Sequence, residues 1–368
     1  MTGYLPLISV SKKRILHITP WYPSTEHPHV APWIRRHIEA LDASEDSHIL
    51  HIQAHAYHNE DIEERALGVT NIIKGKQGWP WRFTEILNRY ILVQELKKIK
   101  ATTNFDVVNF HIAYPHLVHL RKLKKHLPSK IVVTEHWSYY HYNFHSSKKL
   151  TRVKNIFKSD FKLICVSDQL RHDIERFCGY PITASIVPNI VVDEYIRPVV
   201  NDRPKKMVMG SYWKSPKRPE LVLEAFVKFT EREPEWTLEI FGHGPQTDTL
   251  QAKYSHPNIV WLGSLEAGQI AERLREAQCF LMPSDYETFS VVTAEALCCG
   301  CAIGVSNKGA LPELITAQNG QLVEHDQWIE ALDSMTQKSW NHDQIAQDAQ
   351  AKFNAQTVSQ KYLEAIDK

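Results

Sequence analysis

No stretch of this chain approaches the roughly 18 consecutive apolar residues that crossing a bilayer requires, so the sequence reads as globular. The opening ten residues contain Pro6 and no sustained apolar core, and Lys12, Lys13 and Arg14 follow them instead of preceding them. That order does not suit an export leader, and the expected compartment is the cytoplasm. Cysteine is sparse, with six in 368 residues, too few for a secreted disulfide scaffold of this length. Cys298 and Cys301 do have C-x-x-C spacing. The second ligand pair of a structural zinc site is missing, which leaves core packing as their expected use. Net charge is almost absent, at +1. With no recognition motif either, a nucleic-acid partner is not expected. There is no short-period repeat and no low-complexity tract.

The balanced charge hides an asymmetry. Through residue 200 there are 27 Lys and Arg against 19 Asp and Glu, and beyond it 16 against 23. A basic first half beside an acidic second half places a domain boundary near residue 200, in a length that suits two cores. It also favours an anionic partner for the first half, either a membrane surface or a phosphorylated acceptor. Short apolar runs at 14–19, 47–54, 105–111, 131–134 and 163–167 alternate with helical periodicity at 33–41, 83–100, 116–127 and 168–177. The pattern then restarts. Strands are expected at 206–210, 237–241, 259–262, 279–282 and 302–305, and helices at 219–231, 265–276 and 291–299. Two successive parallel α/β units imply two facing Rossmann-like domains, 1–195 and 205–340, with ligands in the cleft where strand ends meet. The linker is read at 192–204, and residues 341–368 form a helical tail.

The segment from Pro283 to Ile315 is the richest in chemistry. An apolar strand ends in a polar turn holding Glu287, and a helix starting near Ser290 or Val291 holds Glu295. Unpaired amides at such a helix start favour a phosphate, and the two carboxylates suit sugar hydroxyls on either side. The plainer alternative is that Glu295 merely favours a helix N-terminus while Glu287 is solvated. His136 directly follows a β-run, a position where strand ends form sites; His111 is a weaker candidate, since most of the 20 histidines must be structural or exposed. The 117–127 run, rich in Leu, Arg and Lys, fits a basic amphipathic helix lying on anionic lipid, or equally a solvated helix face. Lys148, Lys149, Arg152, Lys154, Lys158 and Lys162 add a second basic stretch.

The 283–315 segment resembles the Glu-x7-Glu region of glycosyltransferase family 4, the retaining enzymes of GT-B fold. Further matches follow in family order: ILHITPWYPSTEHPHVAPWIRRH, KIVVTEHWSYY, LICVSDQL, IVPN, GSYWKSPKRPELVLEAF, IFGHGP, NIVWLG and AKFNAQTVSQKYLEAI. The resemblance covers nearly the whole chain. It implies a GT-B fold, with the acceptor in domain 1–195, a nucleotide sugar in domain 205–340 and a tail, 341–368, crossing back to the first domain. It also implies roles. Glu287 contacts the transferred sugar and Glu295 the ribose, while backbone amides at Phe289, Ser290 and Val291 meet the pyrophosphate. Lys217 neutralises that pyrophosphate, Gly242 and Gly244 lie in the donor site, and His136 is the active-site histidine. No metal is implied, because fixed cations and helix dipoles can stabilise a departing nucleoside diphosphate. The acidic run Asp285-Tyr286-Glu287 is therefore not read as a metal motif.

Two positions depart from the family pattern. Ala31, in Pro28-His29-Val30-Ala31-Pro32, stands where the first loop has glycine, and a Cβ there restricts φ > 0. Ser211 stands where an arginine precedes the lysine, removing a bidentate phosphate contact for which Lys214 and Arg218 are the candidate substitutes. The expected reaction moves a sugar from a UDP- or GDP-sugar to a saccharide or lipid-linked acceptor. By family analogy the setting is bacterial surface polysaccharide or lipopolysaccharide synthesis, at the inner face of the cell membrane. The alternatives are an epimerase or hydrolase on the same fold and a non-catalytic subunit.

Overall fold

The computed structural model describes residues 12–27, 30–42, 45–66, 68–142, 147–196 and 202–367, with backbone alone for 147–150. Pro28 and His29 of the first loop, the Lys148 and Lys149 side chains, and linker residues 197–201 lie outside that description.

Two sheets carry the fold. The first comprises β1 (Arg14–Thr19), β2 (Asp46–His55), β3 (Glu60–Ala66), β4 (Val69–Gly75), β5 (Val107–His111), β6 (Lys130–Glu135), β7 (Lys162–Cys165) and β8 (Ser185–Ile186). Their spatial order is β3-β4-β2-β1-β5-β6-β7-β8. The second comprises β9 (Lys206–Gly210), β10 (Thr237–Phe241), β11 (Ile259–Gly263), β12 (Cys279–Met282), β13 (Ala302–Ser306) and β14 (Gly320–Val323), ordered β11-β10-β9-β12-β13-β14. Every described pairing is parallel except β3 with β4. The chain is thus two doubly wound α/β domains with the GT-B arrangement, and the antiparallel β3 is an addition at the edge of the first sheet.

Local chemistry explains the helix ends that matter. In Val-Ser-Asp-Gln-Leu, the Ser167 hydroxyl accepts the Leu170 amide and starts the helix Asp168–Cys178; Gly179, at φ 81°, ends it in the left-handed region that glycine enters freely. The tail is two helices, not one. His342–Phe353 stays on the second domain, where Phe353 packs against Phe289. Asn354 breaks the run, and its side chain accepts the Thr357 amide at 2.8 Å to cap the second helix, Ala355–Asp367. That helix crosses back, burying Val358, Tyr362, Ala365 and Ile366 against Ile15, Val107, Val132 and Ile164 of the first sheet. Each buried large apolar side chain contributes roughly 2 kcal/mol. Asp367 adds ion pairs to Lys13 and Lys130.

The expected helix over 116–127 is corrected. The segment is a 3-10 turn (His116–His119), one α turn (Leu120–Leu123) and another 3-10 turn (Lys124–His126). Leu117, Leu120 and Leu123 recur every third residue, the period of a 3-10 helix, and with Leu127 they are buried. The apolar face is spent on the core, so this segment is not an amphipathic helix available to lipid. Cys298, Cys299 and Cys301 are buried and free, as core packing requires.

Candidate active site

The two sheets point their carboxyl ends at each other, and the loops leaving those ends carry the backbone strain. Among the described residues, four non-glycine residues have positive φ: Ala31 at 47°, Ile112 at 71°, Arg218 at 48° and Ser290 at 70°. They follow β1, β5, β9 and β12 respectively. Such conformations cost of order 1–3 kcal/mol each and persist where the surroundings hold them, which is characteristic of ligand sites. Ala31, at the glycine position, adopts the left-handed conformation in spite of its Cβ.

On the second domain the turn after β12 is set by close backbone packing. A Cβ on Gly309 would fall 2.6 Å from the Glu287 amide nitrogen, and the Ala310 amide donates to the Glu287 carbonyl at 2.9 Å. This turn feeds the helix Val291–Cys298, whose first amides have no acceptor within the helix. Phe289 turns its ring into the core against Phe353, leaving its backbone in the turn, and Ser290 bonds Thr293 through their hydroxyls. The Glu287 carboxylate accepts from the Lys217 ammonium at 2.5 Å. Lys217 comes from the turn after β9, joined to the β12 turn by the Asp285 amide donating to the Pro216 carbonyl at 2.8 Å. Gly242 and Gly244 have a packing reason of their own: Cβ atoms there would lie 1.9 Å from the Ser211 carbonyl oxygen and 2.4 Å from that of Trp213.

Glu295, nearly buried, receives Arg36 Nη1 at 2.9 Å. Burial raises the Glu295 pKa and the Arg36 charge opposes that rise. Arg36 belongs to the first domain, on the helix Pro32–Asp42, so this pair spans the cleft. Of the two candidate substitutes for the missing arginine, Arg218 is occupied by Glu220 and Asp285. Lys214 lies over the Tyr212 ring, 5.2 Å from its centroid.

The first domain presents histidines instead. Thr134 donates to Asn109 Oδ1 at 3.0 Å, and Asn109 Nδ2 donates to His111 Nε2 at 2.9 Å. His17 Nδ1 lies 3.0 Å from the same His111 Nε2, so one of the two nitrogens must carry the shared proton and the tautomers of the two rings are linked. His136 stacks on His111 with ring centroids 5.8 Å apart. Both His136 nitrogens lack a well-formed hydrogen bond, and Asn189, which faces the ring, has its own Oδ1 unpaired. Burial pushes His136 down to about 3, and His17 and His37 to about 3 and about 4. These imidazoles are neutral near pH 7. The neighbouring Glu135 carboxyl is raised to about 7 by burial, while accepting from Tyr140 and the Ala113 amide.

Two further contacts close the cleft. The Tyr286 hydroxyl donates to Asp173 Oδ2 at 2.5 Å, and its ring stacks on His141 at 3.9 Å. The Glu313 carboxylate accepts the Asp168 and Gln169 amides at 3.0 and 2.7 Å, at the start of the first-domain helix. The structure therefore brings Glu287, Lys217, Ser290, Val291 and Glu295 onto one wall. His136 stands at a strand end of the other wall. Arg36, Asp173 and Glu313 were not singled out in the sequence, and Tyr286 stood there only within the acidic run 285–287. Arg36 stands within the first-loop motif, but nothing local marks it as the partner of a residue 259 positions away.

Comparison with known proteins fits this geometry. The profile described as Glycosyltransferase Family 4 matches residues 34–195, and that described as Glycosyl transferases group 1 matches residues 203–338. Similar curated proteins include the phosphatidylinositol N-acetylglucosaminyltransferase gpi3 subunit of Schizosaccharomyces pombe, 25% identical over 49% of this chain and 42% of that protein. A Mycobacterium tuberculosis GDP-mannose-dependent alpha-(1-6)-phosphatidylinositol dimannoside mannosyltransferase is 34% identical over 24% of this chain and 23% of its own. The chain thus spans less than half the length of these relatives. Two solved structures share the fold across both chains. The apo lipopolysaccharide outer core galactosyltransferase WaaB has a TM-score of 0.71 at 19% identity, covering 96% of this chain and 99% of that one. Anabaena HepE in complex with UDP has a TM-score of 0.72 at 12% identity, with coverage of 96% and 99%.

Proposed function

The chain belongs to glycosyltransferase family 4, and on that premise we propose that it is a retaining enzyme transferring a sugar from a nucleotide diphosphate donor to a saccharide or lipid-linked acceptor. The observation that carries the proposal is the pairing of two cleft carboxylates with cations: Glu287 with Lys217, and Glu295 with Arg36. A bound donor would exchange these partners. Glu287 would accept from sugar hydroxyls and Glu295 from the ribose. Lys217, Arg36 and the amides from Phe289 to Val291 would face the diphosphate.

In the reaction the bond from the anomeric carbon to the phosphate oxygen breaks and the diphosphate leaves with the electron pair. The acceptor oxygen bonds to the same face of that carbon, and its proton passes to the departing phosphate oxygen. His136, held neutral by burial, supplies a hydrogen bond at the reaction centre and does not take the proton. The charge on the leaving group is met by fixed cations and helix amides, so added Mg2+ or Mn2+ should leave the transfer rate unchanged.

Several features support a lipid-linked acceptor. Phe83, Ile86 and Tyr90 are exposed on the helix Trp81–Lys100, and Arg89, Lys97, Arg121, Lys122 and Lys125 line one nearby groove. Although the leucines of 116–127 are buried in the core, the basic side chains at this groove suit anionic headgroups by charge alone, and no described helix is long and apolar enough to cross a membrane. A similar Klebsiella pneumoniae protein, 29% identical over 33% of this chain, is named for its place in a cps region, which favours surface glycoconjugate synthesis. The test is a thermal-shift screen against UDP-, GDP- and ADP-sugars. Glu287→Ala should weaken stabilisation by the sugar more than by the nucleotide alone, and Glu295→Ala should weaken both. Equal effects would sink the division of roles; no nucleotide binding at all would leave a non-catalytic subunit. Donor consumed without acceptor, giving an epimer or free sugar, would indicate an epimerase or hydrolase.

A further inference from the structure

A second cluster lies on the first domain, apart from the carboxylates of the donor wall. Glu60 begins β3, and its carboxylate meets three imidazoles through their Nε2 atoms. His27 reaches Oε1 at 2.6 Å; His55 and His58 reach Oε2 at 2.8 and 2.9 Å. The sheet assembles this arrangement. His55 ends β2 and pairs in register with Gly75 of β4, which in turn pairs with Glu60 across the antiparallel ladder. Gly75 leaves the room the His55 ring fills, since a Cβ there would fall 2.2 Å from His55 Cε1. His27 arrives separately, from the loop after β1.

We propose that His27, His58 and Glu60 form a site for one divalent transition-metal cation of zinc's class, with His55 holding the carboxylate from behind. The ligand atoms of His27, His58 and Glu60 all lie within 4.8 Å of one another. A tetrahedral ion with bonds of about 2.0–2.1 Å needs ligand atoms about 3.3 Å apart. The present separations are those of hydrogen bonds, and a small swing of the solvent-facing His27 and His58 rings opens the gap. Two imidazoles and one carboxylate, with a fourth position open to water, is a zinc donor set. Calcium and magnesium prefer all-oxygen sites, and copper(I) prefers sulfur. His55 is almost fully buried, donates to the carboxylate and stacks on Tyr57 at 5.7 Å. It thus plays the part of the outer groups that orient a ligand. The ion would tie the first loop, four residues before the strained Ala31, to the β2–β3 turn.

The proposal is independent of sugar transfer and is tested by metal binding alone. Tag-free full-length protein, stripped with chelator, is dialysed against Zn2+, and bound metal is counted. Wild type should bind one equivalent. His58→Ala and Glu60→Gln should each weaken binding roughly 100-fold or more, and His55→Ala about 10–100-fold. His172→Ala, an exposed imidazole elsewhere, should change nothing. His58 is largely exposed, so its removal leaves the fold intact, which circular dichroism checks. Zn2+ should also raise the Tm of wild type but not of His58→Ala. Wild type binding Zn2+ no more tightly than His58→Ala would overturn the site and leave a purely hydrogen-bonded cluster around Glu60.

Discussion

The two walls of the cleft solve the problem of buried polar groups in opposite ways. The first-domain wall is built of imidazoles held neutral by burial, and 16 of the chain's 20 histidines precede residue 200. The second-domain wall keeps Glu287 and Glu295 and places a cation against both, the one at Glu295 being lent by the first domain. A largely neutral wall beside a charged one concentrates the charges that meet a departing diphosphate around the second-domain carboxylates, with Arg36 reaching over from the first domain. On the first-domain side the charged groups that reach the cleft, Arg36 and Asp173, are each bonded to a residue of the other wall.

That contrast can be broken most sharply at Glu287. Glu287→Ala should lower kcat roughly 10²–10³-fold in a transfer assay, whereas removing an exposed carboxylate such as Glu272 should leave kcat unchanged. Next in size is Arg36→Ala, which leaves Glu295 buried without its cation. About 3 kcal/mol of stability should be lost in urea unfolding, and Arg36→Lys should restore only part of it. A loss as small as that of a surface pair would show that the wall is solvated.

The neutral wall makes a pH prediction. His17, His37 and His136 titrate at about 3, 4 and 3 when folded, against 6.5 when unfolded. Below pH 6.5 the unfolded chain therefore binds more protons, and stability falls as pH drops from about 6.5 toward 4. Glu135 works the other way. Its folded value of about 7 against 4.5 gives a contribution present at low pH and lost as pH rises through about 7. Three histidines outweigh one carboxyl, so the Tm should fall on acidification below 6.5. His136→Asn should flatten that slope, and Glu135→Gln should steepen it. The smallest effect expected is at Ala31. Ala31→Gly should stabilise the chain by about 0.5–1 kcal/mol, measured as an increased urea midpoint, because glycine enters positive φ without the Cβ penalty.

How much of this was legible in the sequence depended on how local each signal was. Strands such as β9, β10 and β12 are short apolar runs closed by polar turns, and their limits could be read directly. The β3–β4 hairpin escaped because β3, Glu-Asp-Ile-Glu-Glu-Arg-Ala, is an edge strand without a buried face. The 116–127 segment misled because a three-residue leucine spacing was fitted to a 3.6-residue helix. At the site, Glu287, Glu295 and Lys217 lie in continuous motifs. Arg36 and Asp173 enter the cleft through partners on the other domain, and no local pattern encodes such a distance. Ala31 was marked as an obstacle to positive φ, and the chain adopts that conformation anyway.

Tyr286 and Glu287 are consecutive in the chain, one fastened to Asp173 of the first domain and the other proposed to grip the sugar. The cleft cannot gape without first breaking the tyrosine's bond, and the peptide then set loose is the one carrying the carboxylate. Opening and letting go are thereby the same event, a latch whose tongue is also the hand on the cargo. Tyr286→Phe should accordingly show itself in how long the spent donor stays bound, more than in the speed of bond making.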